Sequence, residues 1–182
     1  MATLYTHAAV GLAIGRCCVD RGPRWWIWLV AAALPIVPDL DAISDAPYPS
    51  AFGHRGFTHS LCFALGIGLV IAAVASRPLR LRFWMTWGLC FLITASHGLL
   101  DAFTSGGAGI PFFWPLSERR FGPWGPIHLA DIADDFPNPW RSRAIQTELL
   151  WVWLPMTIAL GLIEAGRWWR RRAMAADSQA LS

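Results

Sequence analysis

Three short stretches of the chain combine imidazole and carboxylate groups at spacings that chemistry can use. In SHGLLD, His97 and Asp101 stand four residues apart. At that spacing two helical residues share a face, about 5–6 Å apart at Cβ, so one metal ion can take a nitrogen from one and an oxygen from the other. The same spacing also suits a plain hydrogen bond. In PIVPDLD, Asp39 and Asp41 follow a proline-interrupted segment, and each can give oxygen to one or two cations. In GHRGFTHSL, His54 and His59 bracket the entry to an apolar run. Thr58 or Ser60 can cap the helix that begins there. Arg55 is a cation among candidate metal ligands, so the partner expected for it is an anionic substrate held by a planar fork. His7 stands near the start of the chain and adds a further candidate nitrogen.

Together these residues form a nitrogen and oxygen donor set. Such a set suits zinc, manganese or iron, and the absence of cysteine from it argues against a structural thiolate zinc site. Seven candidates, His7, Asp39, Asp41, His54, His59, His97 and Asp101, exceed what one catalytic ion needs and fit one or two ions that activate a water. His128 and Asp131 lie three apart in a later loop and are candidates to cap the site. The four cysteines include no CxxC pair and are read as buried small hydrophobes.

The elements that hold these groups are apolar. The chain of 182 residues is 55% hydrophobic and only 15% charged, with a mean hydropathy of +0.40, against roughly 25% charged for a soluble domain. That excludes a disordered chain. Twelve tryptophans suit a membrane interface. All fifteen basic residues are Arg, and they fall in short clusters between apolar runs rather than on one patch, which argues against direct nucleic-acid binding.

Five segments, roughly 4–18, 25–38, 60–76, 83–100 and 147–166, are expected to be helical and membrane-embedded. Pro35 and Pro38 should end or kink the second. The first is short for a span of about 20 residues, which leaves a four-segment arrangement with 4–18 in the interface. It does not have the basic start or cleavage site of a signal peptide. Arg16, Arg21 and Arg24, then Arg77, Arg80 and Arg82, then Arg167, Arg170, Arg171 and Arg172 fall in alternate connections. The positive-inside rule puts all three clusters in the cytoplasm and loops 39–59 and 101–146 outside, with the candidate ligands. The expected fold is an all-α polytopic membrane bundle. It forms a single embedded domain over 1–182, with a short basic cytoplasmic tail at 167–182 and the long Pro-, Gly- and Trp-rich outer loop folded over the site.

His7, PDLD, HRGFTHSL and SHGLLDAFTSGGAGIPFFWP, spread over residues 1–125, resemble the YdjM-type family. These are inner-membrane proteins described as metal-dependent hydrolases, one member of which is described as binding the LexA repressor. Carried over residue by residue, the resemblance implies a metal site of His7, Asp39, Asp41, His54, His59, His97 and Asp101. It also implies Arg55, Thr58 and Ser60 as supporting or substrate-clamping residues. The stretch PIHLADIADD lies beyond the matched part. The HxxxD spacing is also similar to that of zinc-dependent phospholipase C and nuclease sites, an analogy of spacing alone.

The leading functional expectation is a multi-pass inner-membrane hydrolase with its site on the outer face. Its substrate would be a lipid-linked or other amphiphilic phosphoester, and its cofactor a divalent metal, zinc before manganese or iron. A transporter would place polar groups in both halves of the membrane or in broken helices at the midplane, whereas here they gather on one side. A regulatory or scaffold protein with a structural metal is the other alternative. Repressor binding rests on the family description alone, since the tail RWWRRRAMAADSQALS is too short for a domain and its arginines suit anionic headgroups.

Overall fold

The computed structural model describes residues 2–19, 25–79, 82–129 and 142–180. Among them the regular structure is helical, and the loop after residue 102 contributes two isolated bridges, Thr104 to Ile127 and Ile110 to Phe121. Helix α1 spans Leu4–Cys18, and its cap residue Thr3 accepts a hydrogen bond from the Thr6 N–H. Helix α2, Trp25–Ala33, is nine residues long. Pro35 and Pro38 lack the N–H an α-helix needs and crowd the preceding turn, and the chain tightens into a 3-10 helix over Leu34–Ile43. That segment carries Asp39 and Asp41. A 3-10 turn at Phe57–His59 leads into α3, Leu61–Leu79, where Ser60 Oγ accepts from the Phe63 N–H. Helix α4 is Phe83–Ala102. The last helix, α5, runs from Arg143–Glu148 through a π-helical stretch at Leu149–Trp153 into Leu154–Ala180.

Helices α1 to α4 share a core in which Ala31, Leu34, Cys90 and Ile93 are buried and Leu12, Ile67 and Leu89 pack on them. Helix α5 stands outside it, with no buried residue from Trp153 to Asp177. Of the cysteines, Cys90 is buried while Cys18 and Cys62 are exposed. The expectation of four buried thiols fails because α3 turns Cys62 outward.

Among the described residues, two helices are long and apolar enough to cross a membrane, Phe83–Ala102 and the stretch Arg143–Asp177. Segments 83–100 and 147–166 correspond to them. Segment 60–76 became α3, whose apolar part is shorter. Segment 25–38 is divided by its prolines into α2 and the 3-10 helix. At fifteen residues α1 is about 22 Å long, short of a hydrocarbon core of about 30 Å.

Polar pairs fix the direction of α5. Glu148 accepts from the Thr3 N–H and from the hydroxyls of Thr3 and Thr6. Farther along, Glu164 pairs with Arg16 at 2.6 Å, and Arg167 donates to the carbonyls of Arg16 and Cys17. Helices α1 and α5 therefore run parallel. Arg16 and Arg167 meet at one end of the molecule, and the candidate ligands gather at the other.

Candidate metal centre

Every element delivers its polar residue to the same end. Helix α1 brings His7 one turn after its start, α4 brings His97 and Asp101 in its last two turns, and the 3-10 helix brings Asp39 and Asp41. The turn before α3 brings His59. Close approach depends on Gly98. A Cβ there would lie 2.8 Å from the His59 carbonyl oxygen, so only glycine lets α4 pass this near the turn.

His97 Nε2 and His59 Nε2 lie 3.0 Å apart. Asp39 Oδ1 is 3.3 Å from the first and 3.6 Å from the second. Asp101 Oδ2 is 3.9 Å from His59 Nε2 and 4.0 Å from His97 Nε2. A tetrahedral ion with bonds of about 2.0–2.1 Å separates its ligand atoms by about 3.3 Å. The four side chains therefore converge at the spacing that donor set requires. Both Asp39 oxygens and Asp101 Oδ2 are buried without a directed hydrogen bond. Buried polar atoms are nearly always satisfied, so the Asp39 oxygens point to a cation, whereas Asp101 Oδ2 already faces Arg55 Nε at 3.2 Å.

His7 lies beside this group. It is fully buried, its ring stacks on His97 at 3.9 Å between centroids, and Nε2 is 3.5 Å from Asp101 Oδ1. Neither of its ring nitrogens has a directed hydrogen bond.

Asp41 and His54 form a second layer with His59. Asp41 Oδ1 lies 2.8 Å from His54 Nδ1, and Oδ2 accepts from the Thr58 hydroxyl and faces His59 Nδ1 at 3.3 Å. These three could also surround a cation. A neutral imidazole, however, has one lone pair and one N–H. With its Nε2 turned to Asp39, His97 and Asp101, His59 offers its Nδ1 to Thr58 Oγ1 at 3.0 Å, with Asp41 Oδ2 3.3 Å away. The second group is thus an orienting carboxylate and its two histidines, the arrangement that fixes the tautomer of a metal-ligating imidazole.

The charges agree with this division. Burial by itself would raise the pKa of Asp39, but the neighbouring His59 and His97 imidazoles outweigh it and hold the carboxyl well below the usual range. Burial acts the same way on Asp41, and His54, His59 and Thr58 overcome it. Burial would lower the pKa of His59, yet Asp39 and Asp41 raise it above the ordinary value. Asp101, the third carboxylate, is paired with the Arg55 guanidinium.

Arg55 departs from its expected role. It is 2% exposed, with Nε 3.2 Å from Asp101 Oδ2, Nη1 donating to the Gly106 carbonyl and Nη2 to Thr104 Oγ1. The fork expected to hold a substrate anion is engaged by the protein itself. Its backbone lies in the left-handed region at φ 60°, a position held by its side-chain bonds and by Arg120 donating to its carbonyl. Gly107, at φ +93°, leaves room for the guanidinium, since a Cβ there would sit 2.0 Å from Arg55 Nη1. Of the other two residues placed beside the metal site, Ser60 caps α3 and Thr58 anchors Asp41. His128 is exposed, with its N–H donating to Thr147, and Asp131 lies outside the described residues. Glu148 was legible only as a segment flank, although an acid at a span's end is itself a signal. It is buried and fixes the start of α1, hence His7.

The model of the YdjM inner membrane protein family matches residues 1–172. The chain is 37% identical over 177 residues to the inner membrane protein YbcI of Escherichia coli (strain K12), covering 94% of this chain and all of that protein. No solved structure matches the chain.

Proposed function

The chain belongs to the YdjM inner membrane protein family, and from that premise we propose that it is a multi-pass, membrane-bound, metal-dependent hydrolase of amphiphilic phosphoesters. Its site would lie at the outer membrane surface and hold one divalent ion, zinc before manganese or iron. The observation that carries the reading is the convergence of His59 Nε2, His97 Nε2, Asp39 Oδ1 and Asp101 Oδ2, among them buried carboxylate oxygens left without a directed hydrogen bond.

His59, His97, Asp39 and Asp101 would hold the ion, with His7 as the adjacent fifth donor. When bound, a divalent cation lowers the pKa of water enough to supply a nucleophile at neutral pH. The chain's own groups do the rest. Asp41 holds the Thr58 hydroxyl against His59 Nδ1 and so keeps the opposite nitrogen turned inward. Arg55 neutralises Asp101 and ties it to the loop at Gly106. His54 is 28% exposed at its side chain, and with Nδ1 on Asp41 its Nε2 carries the lone pair. That makes it the residue placed to take a proton from the reacting water.

The alternative of a structural metal has one observation in its favour, the complete burial of His7, His97 and Asp101, since structural sites are closed. One experiment separates the two. Metal-loaded protein and its His54→Ala variant are assayed for hydrolysis of a short-chain phosphodiester lipid panel. Turnover that disappears in His54→Ala while metal content stays intact supports the hydrolase. Metal with no turnover across phosphate, ester and amide panels supports the structural reading.

A further inference from the structure

An apolar slot of about 590 Å³ lies between α1, the end of α4 and α5, within the range of about 300–1,000 Å³ typical of ligand pockets. Polar pairs between α1 and α5 lie beyond it on either side along the two helices, Glu148 with Thr3 and Thr6 and Arg16 with Glu164. Between them every lining side chain is apolar, among them Val10, Ile14, Met156 and Leu160.

Three features select an occupant. Along α5 the lining runs from Trp151 to Leu160; nine residue steps make about 14 Å, half of a hydrocarbon core of about 30 Å and so the depth of one leaflet. Helix α5 also has the length and hydropathy of a membrane span, so lipid reaches the slot from the side. Finally, the slot leads to the metal centre. Val10, Ile14 and Cys17 follow His7 at helical spacing on one face of α1, and Leu100 and Phe103 flank Asp101.

We propose that this slot seats one acyl chain of a membrane phospholipid with the lipid's phosphate end toward the His7 and Asp101 side. The proposal deepens the hydrolase reading and rests on it for the headgroup's destination. The slot itself is independent of that reading.

The test uses the full chain in proteoliposomes of phosphatidylglycerol doped with phosphatidylglycerol bearing a diazirine on one acyl chain. Crosslinked residues are mapped, and zinc, manganese and iron are measured on the same preparations. Labelling is expected to concentrate on Ile14 and Met156. Ala159, which lines the slot, and its non-lining neighbour Ile158 are both exposed on α5. Ala159→Trp should cut that labelling at least about tenfold, as expected for a chain excluded from its site, while Ile158→Trp leaves it within about twofold. Equal labelling of the outward faces of α3 and α4 overturns the proposal in favour of annular lipid. Slot residues that escape lipid labelling while Met156→Cys forms an interchain disulfide overturn it in favour of a second copy. Concentrated labelling without any bound zinc, manganese or iron leaves the slot standing and removes the hydrolase reading, whereas bound metal with diffuse labelling does the reverse.

Discussion

Gly98→Ala should weaken metal binding without unfolding the protein. The added Cβ would meet the His59 carbonyl oxygen at 2.8 Å, and relief to an ordinary contact of 3.4 Å or more moves α4 and the Phe57–His59 turn apart by about 0.6 Å. His97 travels with α4 and His59 with the turn, so the 3.0 Å between their Nε2 atoms opens. Ligand distances at a metal are fixed to about ±0.2 Å, and this displacement is about three times that. The expected loss is about 10–100-fold in metal affinity, the range found when a group that orients a ligand is removed. The expected cost in stability is about 1–3 kcal/mol, as for other overpacked sites. Gly88 lies on the same helix with nothing within 4 Å of its added Cβ, so Gly88→Ala should leave affinity unchanged and is the control. The assay is competition with a chromophoric chelator, run beside thermal unfolding in detergent. Affinity in Gly98→Ala equal to that of Gly88→Ala, with both folded, would refute the reasoning.

Other perturbations have equally definite outcomes. Arg55→Met leaves Asp101 a buried charge without its partner and should cost about 3–5 kcal/mol in denaturant titration. Arg55→Lys should recover only part of that, because one ammonium cannot reach Asp101, Gly106 and Thr104 together; a lysine variant as stable as the parent would show the fork is unimportant. Glu148→Gln should destabilise by about 1.5–3 kcal/mol through loss of a charged acceptor and increase hydrogen exchange at the start of α1, and unchanged exchange there would disprove its role in holding His7. In the metal-free protein His59 keeps its proton to higher pH than usual, whereas Asp39 and Asp41 remain ionised. Metal affinity should therefore fall by about tenfold per unit as pH drops below the His59 pKa and level off above it; a flat profile from about pH 5 to 8 would remove His59 from the ligands. Cysteine at the exposed Glu118 should label from the outer side, and cysteine at the exposed Ala173 from the cytoplasmic side; the reverse pattern would invert the topology.

The parts legible from sequence are those that depend on local spacing. His97 and Asp101 share a helix face because an α-helix places residues four apart together. The end of α2 follows from Pro35 and Pro38, and the cap at Ser60 from its place before an apolar run. The division of labour within the site depends on contacts between distant segments. Asp39 and Asp41 look equivalent in PDLD, but alternate positions on a tight 3-10 helix turn one toward His97 and the other toward His54. Arg55 pairs with Asp101, forty-six residues away, and no local pattern announces it. The last helix exceeds segment 147–166 because no proline follows Pro155 and Arg167 to Ala180 continues the same helical course, so hydropathy marked the apolar part and not the helix.

The central claim is that His59, His97, Asp39 and Asp101 hold one divalent ion. Elemental analysis of protein purified without chelator, alongside His97→Ala and Asp101→Asn prepared identically, tests it most directly. The account predicts about one zinc-class ion per folded chain, lost from both variants while the helical signal persists. Full metal occupancy in both folded variants, or a folded parent that takes up no divalent ion when it is offered, would contradict it.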